Sequence, residues 1–183
     1  MNTEKISRSL GITYHFDANR IFPKNNDQDI AQLEKWHSNG VIFIEMSRCA
    51  QIEAETGSTA REDKASEFTF TEATGSVGLE WKELIQKAVF PNGISKPSDT
   101  NDIEILFTAK LADATLITRD GESKTQPRGI LGSRSDLEKI GIQVMRANEA
   151  VNQIRELIKK RDYKAKELAN DGKINLPLWV GCD

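Results

Sequence analysis

The chain is poor in the two residue types that most often build metal and redox sites. Its 183 residues include two cysteines, Cys49 and Cys182, and two histidines, His15 and His37. Two cysteines cannot form a disulfide framework or a cysteine-rich zinc centre. With so little thiol and imidazole, any metal site has to rest mainly on carboxylates, and such donors favour magnesium or manganese over zinc. Long apolar runs are missing as well. The longest, Val41 to Ile44, is four residues, against roughly 20 for a membrane-spanning helix. The opening MNTEKISRSLG has no apolar core of the kind a secretory leader carries. A soluble, reduced, cytoplasmic setting with no membrane partner is the expectation. No Gly-x-Gly-x-x-Gly and no P-loop pattern occurs, which removes nucleotide binding of those types. The net charge of −3 excludes a strongly basic nucleic-acid coat but leaves a local basic patch open.

What is present suits a polar globular chain. Hydrophobic residues make up 38% and charged residues 29%, too apolar for wholesale disorder. Ile12, Tyr14 and Phe16 alternate with Thr13 and His15, which predicts a strand ending at Asp17. Residues 28–39 predict a helix stopped by Gly40, and Val41–Ile44 a strand buried on both faces. Ser47 then caps a helix running towards Gly57. Residues 57–75 show no period and read as an exposed loop, residues 76–90 as a helix, and 91–100 as a linker. Asn101 with Glu104, and Ser135 with Glu138, resemble capping boxes opening two further helices. Short strands are expected at 115–118 and 142–145, and a long helix at 147–169. Strands alternating with helices imply parallel pairing and right-handed crossovers. The expected organisation is one domain over 1–170, with an insertion at about 57–98 and a tail at 171–183.

In an open parallel sheet, sites form outside the carboxyl ends of the strands. Two predicted strands end in acid, at Asp17 and at Asp120. Asp102 is read in the first turn of a helix, where the dipole favours a carboxylate. Glu53, with Glu55 as a rival, lies on the helix after Val41–Ile44. Singly, each has a plain structural reading, as a turn, a cap or a solvated helix position. Together they bring acids from four elements to one end of one sheet. Like charges a few ångströms apart raise one another's pKa, and a divalent ion relieves that cost.

These residues resemble the PIN-domain family, which includes toxin–antitoxin and RNA-processing ribonucleases. Asp17-Ala18-Asn19 is similar to its first motif, and Ile44-Glu45-Met46-Ser47 followed by Glu53 to its second. Asp102, Ala109 and Ala114-Thr115-Leu116-Ile117-Thr118-Arg119-Asp120 resemble the third part, an Asp, a helix with small residues and a strand ending in Thr-x-Asp. The resemblance implies a PIN-like three-layer α/β/α sandwich with a central parallel sheet of four or five strands. It implies that Asp17, Glu53, Asp102 and Asp120 hold Mg2+ or Mn2+, with Thr118 assisting through its hydroxyl. The implied activity is metal-dependent endoribonuclease cleavage of single-stranded or loop RNA, toxin-like in character. The partners it implies are RNA, a second copy of the chain, and an antitoxin-like protein. The alternatives are a non-catalytic RNA- or protein-binding scaffold, or a metal-dependent DNA nuclease or phosphohydrolase.

Asn19, Arg20, Arg119, Lys124 and Arg128 are the expected substrate contacts, with Arg134 nearby in the same basic stretch. Trp36, Trp81 and Trp179 read as packing residues rather than base-stacking platforms. His15 is expected to face solvent or a helix. Cys49 is expected as a structural thiol, and Lys159-Lys160-Arg161 as a solvated face.

Overall fold

The alternation around Ile12–Phe16 becomes strand β1 (Thr13–Phe16) in the computed structural model, which describes residues 6–21, 27–56, 58–73, 78–121 and 129–183. A short 3-10 turn (Ala18–Arg20) and helix α1 (Gln28–Ser38) lead to strand β2 (Phe43–Ser47) and helix α2 (Arg48–Glu55). Helix α3 (Thr59–Ala65), strand β3 (Thr69–Thr71), helix α4 (Leu79–Val89) and helix α5 (Pro97–Leu111) follow. Strand β4 (Thr115–Ile117), helices α6 (Gly129–Gly132) and α7 (Arg134–Lys139), strand β5 (Val144–Met145) and helix α8 (Ala147–Asn170) complete the order.

The five strands form one all-parallel sheet in the order β3-β2-β1-β4-β5. The chain leaves β1 towards β2 and β3 in one direction, and later leaves β4 towards β5 in the other. The junction between β1 and β4 is therefore a topological switch point, where open α/β sheets leave a crevice at the carboxyl ends of the strands. Helix α1 packs on α8 and β2, while α5 packs on β2, β4, α2 and α4. The architecture is a three-layer α/β/α sandwich. Its central strands supply fully buried Tyr14, Phe16, Ile44, Met46, Leu116 and Ile117. Each large side chain so buried contributes about 1.5–3 kcal/mol. Among the described residues, no helix is long and apolar enough to cross a membrane.

Several boundaries differ from the sequence reading. The segment read as an exposed loop at 57–75 contains α3 and β3, and β3 extends the sheet as an edge strand. The strand read at Val41–Ile44 begins at Phe43 and runs to Ser47, and Phe43 is 48% exposed rather than buried on both faces. Helix α5 starts at Pro97, inside the expected linker. Proline is well suited to a first helical position, and Asp99 reaches back to accept from the Ser95 and Lys96 N–H groups at 2.9 and 3.2 Å. Asp99, not the Asn101–Glu104 pair, therefore closes that helix start. Ser135 lies within α7, which is entered at Ser133, so the Ser135–Glu138 capping box is also overturned. The Ser47 cap is present, with its Oγ accepting from the Ala50 N–H at 3.1 Å.

The tail folds back on α8. Asp183 pairs with Arg8 and Arg161, the Gly181 N–H donates to Asp162 at 2.8 Å, and the Arg161 guanidinium lies 4.4 Å from the Trp179 ring centre. Arg161 is thus a clasp residue, whereas Lys159 and Lys160 remain on a solvated face. His15 does not reach solvent. It is fully buried in the sheet, its Nε2 lies 3.6 Å from Glu45 Oε2, and burial lowers its pKa. Trp36 is buried in α1, as a packing role requires, while Trp81 is partly exposed on α4 beneath Lys110.

Candidate functional site

Parallel pairing sets the ends of β1 and β4 side by side. Phe16 of β1 stands opposite Ile117 of β4, so Asp17 and Thr118 are the next residues on adjacent strands. The Asp17 N–H donates to the Ile117 carbonyl at 3.1 Å, continuing the ladder past the strand ends. Thr118 Oγ1 donates to Asp17 Oδ2 at 2.5 Å, and accepts from the Asp120 N–H at 3.0 Å and from Asn19 Nδ2 at 3.1 Å. Asn19 Nδ2 also reaches Asp17 Oδ2 at 2.6 Å, and Asn19 Oδ1 accepts from the Arg119 N–H at 3.1 Å. One hydroxyl thus donates once and accepts twice. It joins Asp17, Asn19 and Asp120 into a network whose members orient one another.

Asp120 is anchored from its other side. Its Oδ2 accepts from the Ile130 N–H at 2.8 Å, and its carbonyl from the Leu131 N–H at 2.9 Å. Gly129, at φ +56°, makes this closure possible, because a Cβ there would overlap the Gly121 carbonyl.

The electrostatics follow from this burial. Asp17 is 6% exposed, and its carboxyl is pushed up to about 6. Loss of solvent is the main cause. Hydrogen bonds from Thr118 and Asn19 pull the value back, and the negative fields of Glu53 and Asp120 push it up again. Cys49, on α2, is pushed up to about 11, first by burial and then by the charges of Glu53, Glu104, Asp102 and Asp17. Glu53 and Asp120 thus act on Asp17, and Glu53, Asp102 and Asp17 act on Cys49. Glu53 is exposed on α2. Asp102 is half-buried in the second turn of α5, not in the first, because α5 begins earlier than expected. Glu55, the rival to Glu53, is drawn to Arg48 at 3.6 Å, and Arg48 lies over Phe70 of β3.

The convergence is incomplete. Among the described residues, no group of three or more His, Cys, Asp or Glu side chains is assembled as it would be around a metal ion. The directly bonded unit is Asp17, Asn19, Thr118 and Asp120, with Glu53 contributing charge to Asp17 from α2, while the field of Asp102 on α5 falls on Cys49.

The basic residues divide. Arg119 is exposed beside Asp120. Arg20 is 2% exposed, and its guanidinium is held by Asp27 at 2.5 Å, so it braces the turn before α1 instead of meeting a substrate from solution. Arg134 makes a two-pronged pair with Glu149 at 2.8 and 2.6 Å. Lys124 and Arg128 lie outside the described residues. Cys49, expected as a structural thiol, lies one helical turn before Glu53. One neighbour of the site is absent from the sequence reading: Arg146 follows β5 at the same carboxyl end of the sheet, which the strand-end rule flags equally well.

No family model and no curated protein matches this chain.

Proposed function

We propose that the chain is a magnesium- or manganese-dependent ribonuclease that hydrolyses phosphodiester bonds of single-stranded or loop RNA. The observation that carries this reading is the Asp17 carboxylate, buried at the switch point, hydrogen-bonded to Thr118 and Asn19, and lying in the fields of Glu53 and Asp120. A carboxylate buried among like charges is costly alone and well matched to a hard divalent cation. The donor chemistry fits: the candidate ligands are carboxylate oxygens, and the one thiol in the corner is kept protonated first by burial and then by the neighbouring acids. Resemblance of the three motifs to PIN-domain nucleases points the same way.

In this reading Asp17 and Asp120 hold the ion from the strand ends, and Glu53 and Asp102 complete the set from α2 and α5. Such an ion polarises a phosphoryl oxygen and acidifies a water when bound. The chain's own residues fix the geometry. Thr118 orients Asp17 Oδ2 and secures the Asp120 backbone, and Asn19 locks Asp17 to the Arg119 peptide. A toxin-like role, an antitoxin-like partner and a homodimer come from the resemblance alone.

The missing three-donor group among the described residues favours a second reading, a non-catalytic RNA- or protein-binding scaffold of the same fold. Cleavage of end-labelled single-stranded RNA in manganese separates the two, comparing wild type with Asp17→Asn and Asp120→Asn, each checked for folding. The ribonuclease reading expects metal-dependent cutting that falls at least about 100-fold in both variants, the scale of losing one preorganised charge from a catalytic site. Equal trace activity in all three proteins, with no carboxylate-dependent manganese binding by calorimetry, would leave the scaffold. DNA and small phosphate esters in the same assay test the DNA nuclease and phosphohydrolase alternatives.

A further inference from the structure

A cleft of about 370 Å³ opens directly off the site. It runs from Thr118 and Arg119 after β4, past Arg146 at the start of α8, to Arg20, Asp27 and Asp29 at the start of α1. Charges of both signs line it. Arg20 and Asp27 hold one another at 2.5 Å, and the second Asp27 oxygen caps α1 by accepting from the Asp29 and Ile30 N–H groups at 3.1 and 3.3 Å. The Asp29 carboxylate belongs to the favourable first turn of α1. Arg119 and Arg146 are exposed, come from neighbouring strand ends, and bring positive charge to the cleft. The electrostatic character therefore changes sign over a short distance: carboxylates dominate around Asp17 and Asp120, and guanidinium groups dominate at Arg119 and Arg146.

A nucleic-acid strand presents phosphates in series, and that change of sign suits such a ligand. In the ribonuclease reading the acids would hold a cation for the scissile phosphate, and the next phosphate calls for positive charge supplied directly by the protein. Arginine is suited to that contact because its planar fork bonds two phosphate oxygens at once. We infer that the cleft between β4 and the start of α8 is a subsite for the phosphate adjacent to the scissile one, with Arg146 and Arg119 as its contacts. This inference rests on the ribonuclease reading for its substrate, and it adds Arg146, which belongs to none of the three motifs.

Two measurements on the full chain test it, using Arg146→Gln and Arg146→Lys. The first is binding of a fluorescein-labelled single-stranded decanucleotide RNA in EDTA across a salt series. Arg146→Gln should make the slope of log affinity against log salt shallower by about 0.7, the value of one single-strand phosphate contact, and Arg146→Lys should restore it. The second compares manganese-dependent kcat/KM on the decanucleotide with that on a dinucleotide, which has only the scissile phosphate. Arg146→Gln should lower the ratio about tenfold, as for loss of one charge-assisted contact. An unchanged slope, or an equal loss on both substrates, overturns the subsite. If wild type cleaves neither substrate, the ribonuclease reading falls, and the salt slope alone then upholds or overturns the cleft as an RNA-backbone site.

Discussion

Asp17 and Asp120 stand at the ends of paired parallel strands, tied by Thr118, Asn19 and the Ile130 N–H, whereas Glu53 and Asp102 ride on helices packed beside the sheet. The two halves of the acidic cluster are built to different tolerances. Strand ends inherit their spacing from the hydrogen-bond ladder, so Asp17 and Thr118 have almost no freedom relative to one another. A helix-borne acid depends on how the whole helix sits and on its own rotamer, and Glu53 is exposed with room to choose one. The comparison assigns geometry to the strand half and adjustable charge to the helix half. That division suits magnesium-type ions, which demand near-ideal geometry and use few protein ligands.

Asp17→Asn breaks the comparison most strongly, through stability. The Asp17 carboxyl has a raised pKa, about 6 against an ordinary 3.8, so between those values the folded state binds more protons than the unfolded state. Stability therefore falls as pH rises from about 4 to about 6, and the full penalty, about 3 kcal/mol, persists at neutral pH. Without divalent ions, Asp17→Asn should unfold at higher urea than wild type at pH 7.5, with the gain vanishing near pH 4. Manganese should narrow the gap by stabilising wild type alone. A variant that is no more stable at pH 7.5 than at pH 4, relative to wild type, would contradict the burial account. Thr118→Val comes next. It removes one donor and one twice-used acceptor, so urea unfolding should show a loss of about 2 kcal/mol. It also removes the bond that holds the Asp17 pKa down, so manganese binding followed by calorimetry should shift to higher pH. Thr118→Ser should keep most of both properties.

The strand half was also the half that could be read. Asp17, Asn19, Thr118 and Asp120 follow short apolar runs whose period announces a strand, and a parallel sheet brings strand ends together whatever the loops do. What escaped notice was structure carried by polar residues. Helix α3 buries only Ala65, and β3 is a three-residue edge strand with Thr69 and Phe70 exposed, so neither has a hydrophobic period to detect. The start of α5 is hidden because Pro97 has the character of linker punctuation, and a helix that begins there carries Asp102 in its second turn. The fate of Arg20 depended on Asp27 folding back across seven residues, which spacing alone cannot show. Glu55 was more accessible. Two helical turns separate it from Arg48, which puts the pair on one face and Glu53 on another.

That phase difference yields the smallest and most discriminating test of the helix half. Glu53→Gln and Glu55→Gln are the same chemical change two residues apart on α2. Glu55 faces Arg48 in a partly exposed ion pair, so its loss should cost no more than about 1 kcal/mol and leave the site untouched. Glu53 lends a negative field to Asp17. Its neutralisation should lower the Asp17 titration midpoint in metal-free protein, followed through the side-chain carboxyl carbon by NMR, while Glu55→Gln leaves the midpoint in place. Manganese affinity should fall as well. Relieving Asp17 of a like charge makes the free site more comfortable, but it also removes a donor, and affinity should drop about tenfold or more. A lower midpoint together with weaker metal binding is the signature of a group that repels Asp17 in the free protein and shares an ion with it in the bound one. If only the midpoint moves, Glu53 is a neighbour of the site and not a ligand. The metal would then rest on the strand half with Asp102, and the exposed face of α2 would have no part in the chemistry.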